Sequence, residues 1–279
     1  MERELPFCCP LCGGALAREE HRALCPQGHS FDIARQGYVH LLPVNKMHAK
    51  VPGDSREMVE SRRRFLEAGY YAPFRQELCR LAAACAARLG SPQGEGLTLC
   101  DAGCGEGYYT AGLQEALPRA QVCGFDISKL AVKAAAGRHK GIPFAVASSF
   151  AIPLAVESVH LLTDVFSPLA EQEFARVVKP GGFFLYAVPG ERHLFGLKEI
   201  LYQEPYENPH RETDYPGFRF VERTQVRGEI FLPDGNAAGD LFAMTPYYWK
   251  TGVEGARRLQ ETQGFSTEIA FDFLVYQRL

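Results

Sequence analysis

The sequence predicts an α/β protein in which a small metal-binding module precedes a doubly wound parallel sheet. Two observations support this prediction. Cysteine, glycine and proline are concentrated in about the first 45 residues, and from Leu97 onward apolar strands alternate with glycine turns and helices. Such alternation is typical of parallel sheets, which bind ligands beyond the carboxyl ends of their strands.

The composition is that of a folded protein made without disulfides. The chain has 279 residues, 46% apolar and 23% charged, with a formal net charge of -3 and nine cysteines. The N-terminus lacks a secretory signal, and no apolar run approaches the roughly 20 residues that span a bilayer. We therefore expect a cytoplasmic protein without membrane contact, whose reduced cysteines are metal ligands or buried thiols.

One stretch of the chain is basic, although the net charge gives no general nucleic-acid signature. Residues 33–64 contain seven Lys or Arg against three acids, so a polyanionic partner is expected to contact them. The excess includes Arg62-Arg63-Arg64, three cations that cannot all share one helix face. Part of this run is expected to face nucleic-acid phosphate. The alternative is a solvent-exposed helix face on which the arginines pair with Glu60 and Glu67.

The first motif is a set of metal-ligand candidates near the N-terminus. Two residues separate Cys9 from Cys12, and three separate Cys25 from His29. Three thiolates and one imidazole complete a tetrahedral zinc site with no open position, so we expect structural zinc rather than a catalytic ion. Cys8 also lies near the first pair, and buried thiols without metal are the alternative.

The remaining elements follow in chain order. Apolar spacing predicts a helix through Glu67 and another over about 72–89. Five strands are then expected, LTLCD, QVCGFD, IPFAVAS, SVHLLTDVF and GGFFLYAVP, with helices YYTAGLQEAL and SKLAVKAAAGRH between the first three. Two late strands, FRFVERTQVRGEIFL and STEIAFDFLVY, could complete the sheet with antiparallel edges. We divide the chain into a zinc module at 1–45, a helical connector at 46–90 and an α/β domain at 91–279.

The second motif, DAGCGEG at 101–107, connects the first of these strands to its helix. Gly103 and Gly105 would let a ligand approach the backbone and the helix N-terminus. Asp101 precedes them, and Asp126 ends the next strand, where it could accept hydrogen bonds from two ribose hydroxyls. GxGxxG and Gly-Lys-Ser/Thr are absent, which argues against a dinucleotide site and a phosphate loop. S-adenosylmethionine is the remaining candidate, and a turn without ligand is the alternative.

Several segments together resemble one family, the bacterial 23S ribosomal RNA guanine-N1 methyltransferases of the RlmA type. They cover nearly the whole chain: CPLC with CPQGH, FDIARQGYVHLLP, GDSREMVESRRRFLEAGYYAP, DAGCGEGYYT, GFDISKLAVKAAA, VASS, VKPGG, VPGERHL and MTPYYW. The resemblance implies a Rossmann-like, class I S-adenosylmethionine-dependent methyltransferase domain and an RNA-recognition role for the zinc module. It further implies methylation of a guanine N1 in a hairpin of 23S ribosomal RNA, and a homodimer.

The resemblance also implies roles for individual residues. The expected zinc ligands are Cys9, Cys12, Cys25 and His29. The expected cofactor contacts are Tyr71, Gly105, Glu106 and His193. Two segments depart from the methyltransferase pattern. Ser148-Ser149 stand where many of these enzymes have an acid that contacts adenine, and residues 164–168 match the usual fourth-strand catalytic loop only loosely.

The chemistry requires that guanine N1 lose its proton, so a nearby base would assist methyl transfer. Asp164, at the carboxyl end of the fourth strand, is the candidate, with an exposed loop acid as the alternative reading. Among the aromatic residues, Tyr71 and Trp249 are the two we expect outside ordinary core packing. Two other functions stay open: a zinc-containing methyltransferase acting on a protein or small molecule, and an inactive RNA-binding module.

Overall fold

The computed structural model describes residues 3–43, 52–209 and 214–279, which form two sheets. The smaller sheet is antiparallel, with strand order β1-β2-β3-β4. Its strands are β1 Arg3–Cys8, β2 Ala15–Glu19, β3 Arg22–Leu24 and β4 Ser30–Asp32. The metal-ligand candidates lie in the turns of this sheet.

The larger sheet has eight strands and is flanked by helices. Its strands are β5 Val39–His40, β6 Thr98–Ala102, β7 Gln121–Asp126, β8 Phe144–Val146, β9 Val159–Val165, β10 Val178–Pro189, β11 Phe218–Leu232 and β12 Phe265–Arg278. The helices are α1 Arg56–Glu67, α2 Ala72–Arg88, α3 Tyr108–Ala116, α4 Lys129–Arg138, α5 Glu171–Val177, α6 Phe195–Leu201, α7 Gly235–Ala243, α8 Tyr247–Lys250 and α9 Val253–Glu261.

The strand order of the larger sheet is β11-β12-β10-β9-β6-β7-β8-β5. Strands β5 to β10 pair in parallel, whereas β12 pairs antiparallel with both β10 and β11. The expected doubly wound sheet with antiparallel late strands is therefore confirmed. The chain leaves β6 in one direction for β7 and β8 and returns to its other side with β9, so the turn after β6 lies at a topological switch point.

The N-terminal sheet packs against the larger one. Phe7 and Leu16 belong to the same buried cluster as Val178 and Phe184 of β10, and the Cys8 N–H donates to the Pro153 carbonyl at 2.8 Å. Strand β5 pairs with β8, so residues from the proposed zinc module add an edge strand to the larger sheet.

Helices α1 and α2 enclose the opposite part of the core. Phe65, Phe74 and Leu78 are buried there, in one cluster with Leu99 and Phe271 of the sheet. The proposed division between 45 and 46 lies outside the described residues, as do Lys46 and Lys50 of the basic stretch. Within the described ranges, no helix is long and apolar enough to cross a membrane.

Candidate metal centre and cofactor site

The four metal-ligand candidates converge at one point in the structure. The ligand atoms of Cys9, Cys12, Cys25 and His29 all lie within 4.8 Å of one another. His29 Nδ1 is 3.5 Å from Cys9 Sγ and 3.4 Å from Cys25 Sγ, and the Cys12 and Cys25 sulfurs are 3.6 Å apart. Ligands about 2.0 to 2.3 Å from a tetrahedral zinc would be separated by roughly 3.3 to 3.8 Å. The donor set therefore fits zinc.

Two glycine turns bring these ligands together. The Gly13 N–H donates to the Cys9 carbonyl, and the Gly28 N–H donates to the Cys25 carbonyl. Burial alone would raise the pKa of the Cys25 thiol. Hydrogen bonds from amide groups of the second turn and from neighbouring side chains outweigh burial, and the pKa is lowered to about 6. Such a thiol readily becomes the thiolate that zinc binds. Cys8 lies outside the cluster, and burial raises its pKa.

The turn after β6 has the open backbone that the sequence predicts for a ligand site. Gly103 and Gly105 have φ values of +73° and +55°. A Cβ on Gly103 would overlap the Ser167 side chain, whereas a Cβ on Gly105 would come within 4 Å of only Arg62 among the described residues beyond its chain neighbours. Both φ values favour glycine, and the backbone is less crowded at Gly105 than at Gly103.

The two aspartates of the motif occupy different environments. Asp126, half-buried at the end of β7, accepts hydrogen bonds from the Gly105 N–H at 3.0 Å and the Ser128 N–H at 2.7 Å. Asp101 is buried and accepts from the Thr110 and Thr163 hydroxyls, at 2.5 and 2.8 Å. Burial raises the pKa of Asp101 to about 6. Asp101 thus supports the turn from beneath, while Asp126 lies at its edge.

Glu106 and its partners close one end of the turn. Its buried carboxylate pairs with Arg138 at 2.9 Å, and Arg138 also pairs with Glu67 of α1. Burial raises the pKa of Glu106. The ion pair therefore links the turn to α4 and α1.

The structure brings Tyr71 and His193 together from distant parts of the chain. The Tyr71 hydroxyl is 3.2 Å from His193 Nε2, and the Ala270 N–H donates to His193 Nδ1 at 3.3 Å. Burial lowers the pKa of His193 to about 3, so the ring is neutral. Since Nδ1 accepts, Nε2 carries the proton and donates to Tyr71, which leaves the tyrosine hydroxyl hydrogen for another acceptor.

Asp164 lies beside the glycine turn and is incompletely hydrogen-bonded. It pairs with Ala102 of β6 across the sheet, and its Oδ1 accepts from the Ser167 N–H at 3.0 Å. Its Oδ2 is buried without a hydrogen-bond partner in the described parts of the chain. Burial raises the pKa of Asp164 well above its ordinary value. The side chain is therefore a protonatable group in the interior, not an exposed loop acid.

Phe166 is a feature of this region that the sequence analysis does not identify. Its φ is +56°, an uncommon conformation for a bulky residue, and 43% of its surface is exposed. Its ring stacks on those of Phe74 and His193. Backbone strain clusters at functional sites, but nothing in a sequence reports φ. Of the two aromatics expected outside core packing, Trp249 is 70% exposed, as expected. The expectation is wrong for Tyr71, which is buried in the core with its ring against Phe65 and Phe271.

Two family models match the chain. One, described as "RlmA, N-terminal" and representing a zinc ribbon, covers residues 7–50, and the other, described as "Methyltransferase domain", covers residues 93–232. The first contains all four metal-ligand candidates. The second contains the glycine turn, both aspartates of the motif, Asp164 and His193.

Curated relatives match most of the chain. A protein of Micromonospora griseorubida named "Putative 23S rRNA (guanine-N(1)-)-methyltransferase" is 40% identical over 69% of this chain and 68% of its own. A "23S rRNA (guanine(748)-N(1))-methyltransferase" of Streptomyces fradiae is 33% identical over 92% of this chain and 90% of its own. A protein of Bacillus subtilis (strain 168) named "Putative 23S rRNA (guanine-N(1)-)-methyltransferase YxjB" is 28% identical over 96% of this chain and 96% of its own.

Proposed function

This chain belongs to the RlmA-type family of 23S rRNA (guanine-N1)-methyltransferases, and we infer that it transfers a methyl group from S-adenosylmethionine to N1 of a guanine in 23S rRNA. One structural observation carries this function. The glycine turn and Asp164 stand side by side at the carboxyl ends of two adjacent strands. A methyl donor at the turn would thus lie beside the buried carboxyl group of Asp164, the proposed proton acceptor for the target base.

The cofactor occupies the glycine turn and the surfaces around it. S-adenosylmethionine supplies an electrophilic methyl group on a sulfonium. Asp126 holds the ribose, and the Tyr71 hydroxyl, fixed by His193, supplies a hydrogen-bond donor. In this proposal the backbone of Gly103 and Gly105 also contacts the cofactor. Asp101 and Glu106 support the turn that holds it.

Asp164 is the base for guanine N1. Burial raises the pKa of this carboxyl group, so its carboxylate form holds a proton taken from N1 more tightly than an ordinary aspartate would. Its Oδ2, which has no partner among described residues, is the atom that receives the N1 proton. Methyl transfer itself is an in-line displacement, so positioning of the base and exclusion of water account for most of the remaining catalysis.

The zinc module at 1–45 recognises the RNA, and the chemistry takes place in the domain at 91–279. The substrate is a hairpin of 23S rRNA, and the enzyme acts in the cytoplasm, where ribosomes are assembled. Guanine 748, which the Streptomyces fradiae relative's name specifies, is the first position to examine. The enzyme forms a homodimer in this proposal, and sedimentation equilibrium of the purified protein tests that point.

Transfer of labelled methyl groups and mapping of the product test the function. Purified protein with tritiated cofactor is expected to label 23S rRNA, and reverse transcription of the product should stop next to one guanine, because N1 methylation blocks base pairing. RNA incubated without cofactor is the control for natural stops. Label that enters only protein or a small molecule would overturn the proposal in favour of a different substrate class.

A further inference from the structure

The three consecutive arginines of α1 lie in three different environments. Arg64 pairs with Asp240 of α7 at 2.5 Å, and Arg63 is exposed. Arg62 turns inward, with only 23% of its side chain exposed. Only this arginine of the run is near the glycine turn.

The Arg62 guanidinium is held in place from two sides. Its Nη1 forms an ion pair with the Asp54 carboxylate, and its Nη2 donates to the Met244 carbonyl at 3.3 Å. The Asp54 carbonyl in turn accepts from the Ser128 hydroxyl at 3.0 Å, next to Asp126. The guanidinium is therefore fixed relative to the strand end that follows the turn.

Arg62 lies over the glycine turn at Gly105. Its Nη1 is 3.9 Å from the position of a Cβ built on Gly105, and apart from Gly105 and its two chain neighbours no other described residue comes within 4 Å of that position. Helix α3, which begins at Tyr108, has no side-chain cap, so its first amides also favour an anion at this end of the turn.

The charges around the turn show what the arginine could bind. Burial alone would lower the pKa of Arg62. The Asp54 and Asp126 carboxylates outweigh burial and raise that pKa, so the guanidinium stays charged. Among the described residues, two of its five N–H groups have acceptors. The ammonium and sulfonium of the cofactor suit the acids here, whereas its carboxylate requires a cation and a fork of donors.

We propose that Arg62 binds the carboxylate of the cofactor's amino-acid moiety and holds it over Gly105. This inference rests on the proposed function, because it assumes S-adenosylmethionine at the turn. It makes Arg62 a cofactor-binding residue rather than part of the RNA-binding surface. It also means that α1, which follows the zinc module in the chain, completes the cofactor site.

Two ligands that differ in the amino-acid moiety test this role by calorimetry on the full-length zinc-loaded protein. S-adenosylhomocysteine has the carboxylate, and 5′-methylthioadenosine lacks the whole moiety. We expect Arg62→Gln to weaken binding of S-adenosylhomocysteine roughly tenfold to a hundredfold, the range for hydrogen bonds to charged groups. Binding of methylthioadenosine should change less than about threefold, since it makes no such contact.

Arg63→Gln is the matched control, because it removes the same charge from the next, exposed position of the helix. Arg62→Lys keeps the charge without the fork, so it should give an intermediate loss and serves if Arg62→Gln folds poorly. The inference is overturned if Arg62→Gln binds S-adenosylhomocysteine as tightly as Arg63→Gln, or weakens both ligands equally. Wild-type protein that binds neither ligand would instead overturn the proposed function itself.

Discussion

Asp101 is a buried acid whose ionisation makes stability depend on pH. Its pKa of about 6 in the folded protein lies above the ordinary value of about 3.8, so the folded state binds the proton more tightly than the unfolded state does. The associated stability is fully present below about pH 4 and is lost as pH rises through about 6, a total of about 3 kcal/mol. We expect Asp101→Asn, which cannot ionise, to lack this loss.

Denaturant unfolding of both proteins between pH 4 and 7.5 measures the difference. Their free energies of unfolding should shift in favour of Asp101→Asn as pH rises, by up to about 3 kcal/mol. Effects of the zinc ligands are common to both proteins and cancel. A difference that stays constant over this range would contradict the raised pKa.

Asp164 gives a prediction about rate instead of stability. If it accepts the N1 proton, Asp164→Asn should lower the methylation rate about 10²- to 10⁴-fold, the usual contribution of a general base. The loss should shrink at high pH, where guanine N1 ionises unaided, while binding of S-adenosylhomocysteine should change little. Single-turnover methylation of rRNA across pH measures this, and parallel pH profiles for the two proteins would exclude Asp164 as the base.

Residues with a role in the site differ in how far the sequence could reveal them. The glycines, Asp101 and Asp126 follow from spacing, because a strand, a tight turn and a helix fix their neighbours. Arg62 is visible in the sequence, but its direction depends on Asp54 and Met244, which only the tertiary structure brings to it. The unpaired oxygen of Asp164 and the strained backbone of Phe166 depend on packing and likewise cannot be read from a pattern.

Among the elements, the metal turns give a direct comparison between two cysteines. Cys12→Ser removes one of the four converging ligands, so the zinc content should fall from one ion per chain towards none. Cys8→Ser, at the end of β1 beside the same turn, is the matched control. Because the Cys8 sulfur lies outside the cluster, this variant should retain one zinc. Metal analysis of the two purified proteins measures their zinc content. Loss of zinc from Cys8→Ser would contradict the assigned ligand set.

The bounds of some strands could be predicted from sequence and those of others could not. The bounds of β7 and β11 agree with the sequence prediction, because apolar runs and turn residues delimit them. The segment IPFAVAS forms a strand only at Phe144–Val146. Strand β5 has two residues, too few for any period, and its pairing with β8 comes from contacts far along the chain.

At the scale of the whole molecule, zinc removal should separate RNA modification from cofactor binding. The buried cluster that joins Phe7 and Leu16 to β10 depends on a small sheet whose turns are held by the metal ligands. The glycine turn and Arg62, in contrast, lie on elements after residue 52. We therefore expect a chelator to disorder the N-terminal sheet and leave the cofactor site assembled.

Two measurements on the same chelated protein test this separation. Its methylation of 23S rRNA should fall more than about tenfold, whereas its affinity for S-adenosylhomocysteine should stay within about threefold of the zinc-loaded value. Restoring zinc should restore methylation, which controls for irreversible damage. Methylation that survives metal loss would show that the module does not recognise the RNA. Equal loss of methylation and cofactor binding would show that the N-terminal sheet and the methyltransferase domain form a single folding unit. The packing of Phe7 and Leu16 on β10 would then be required to keep the cofactor turn in place.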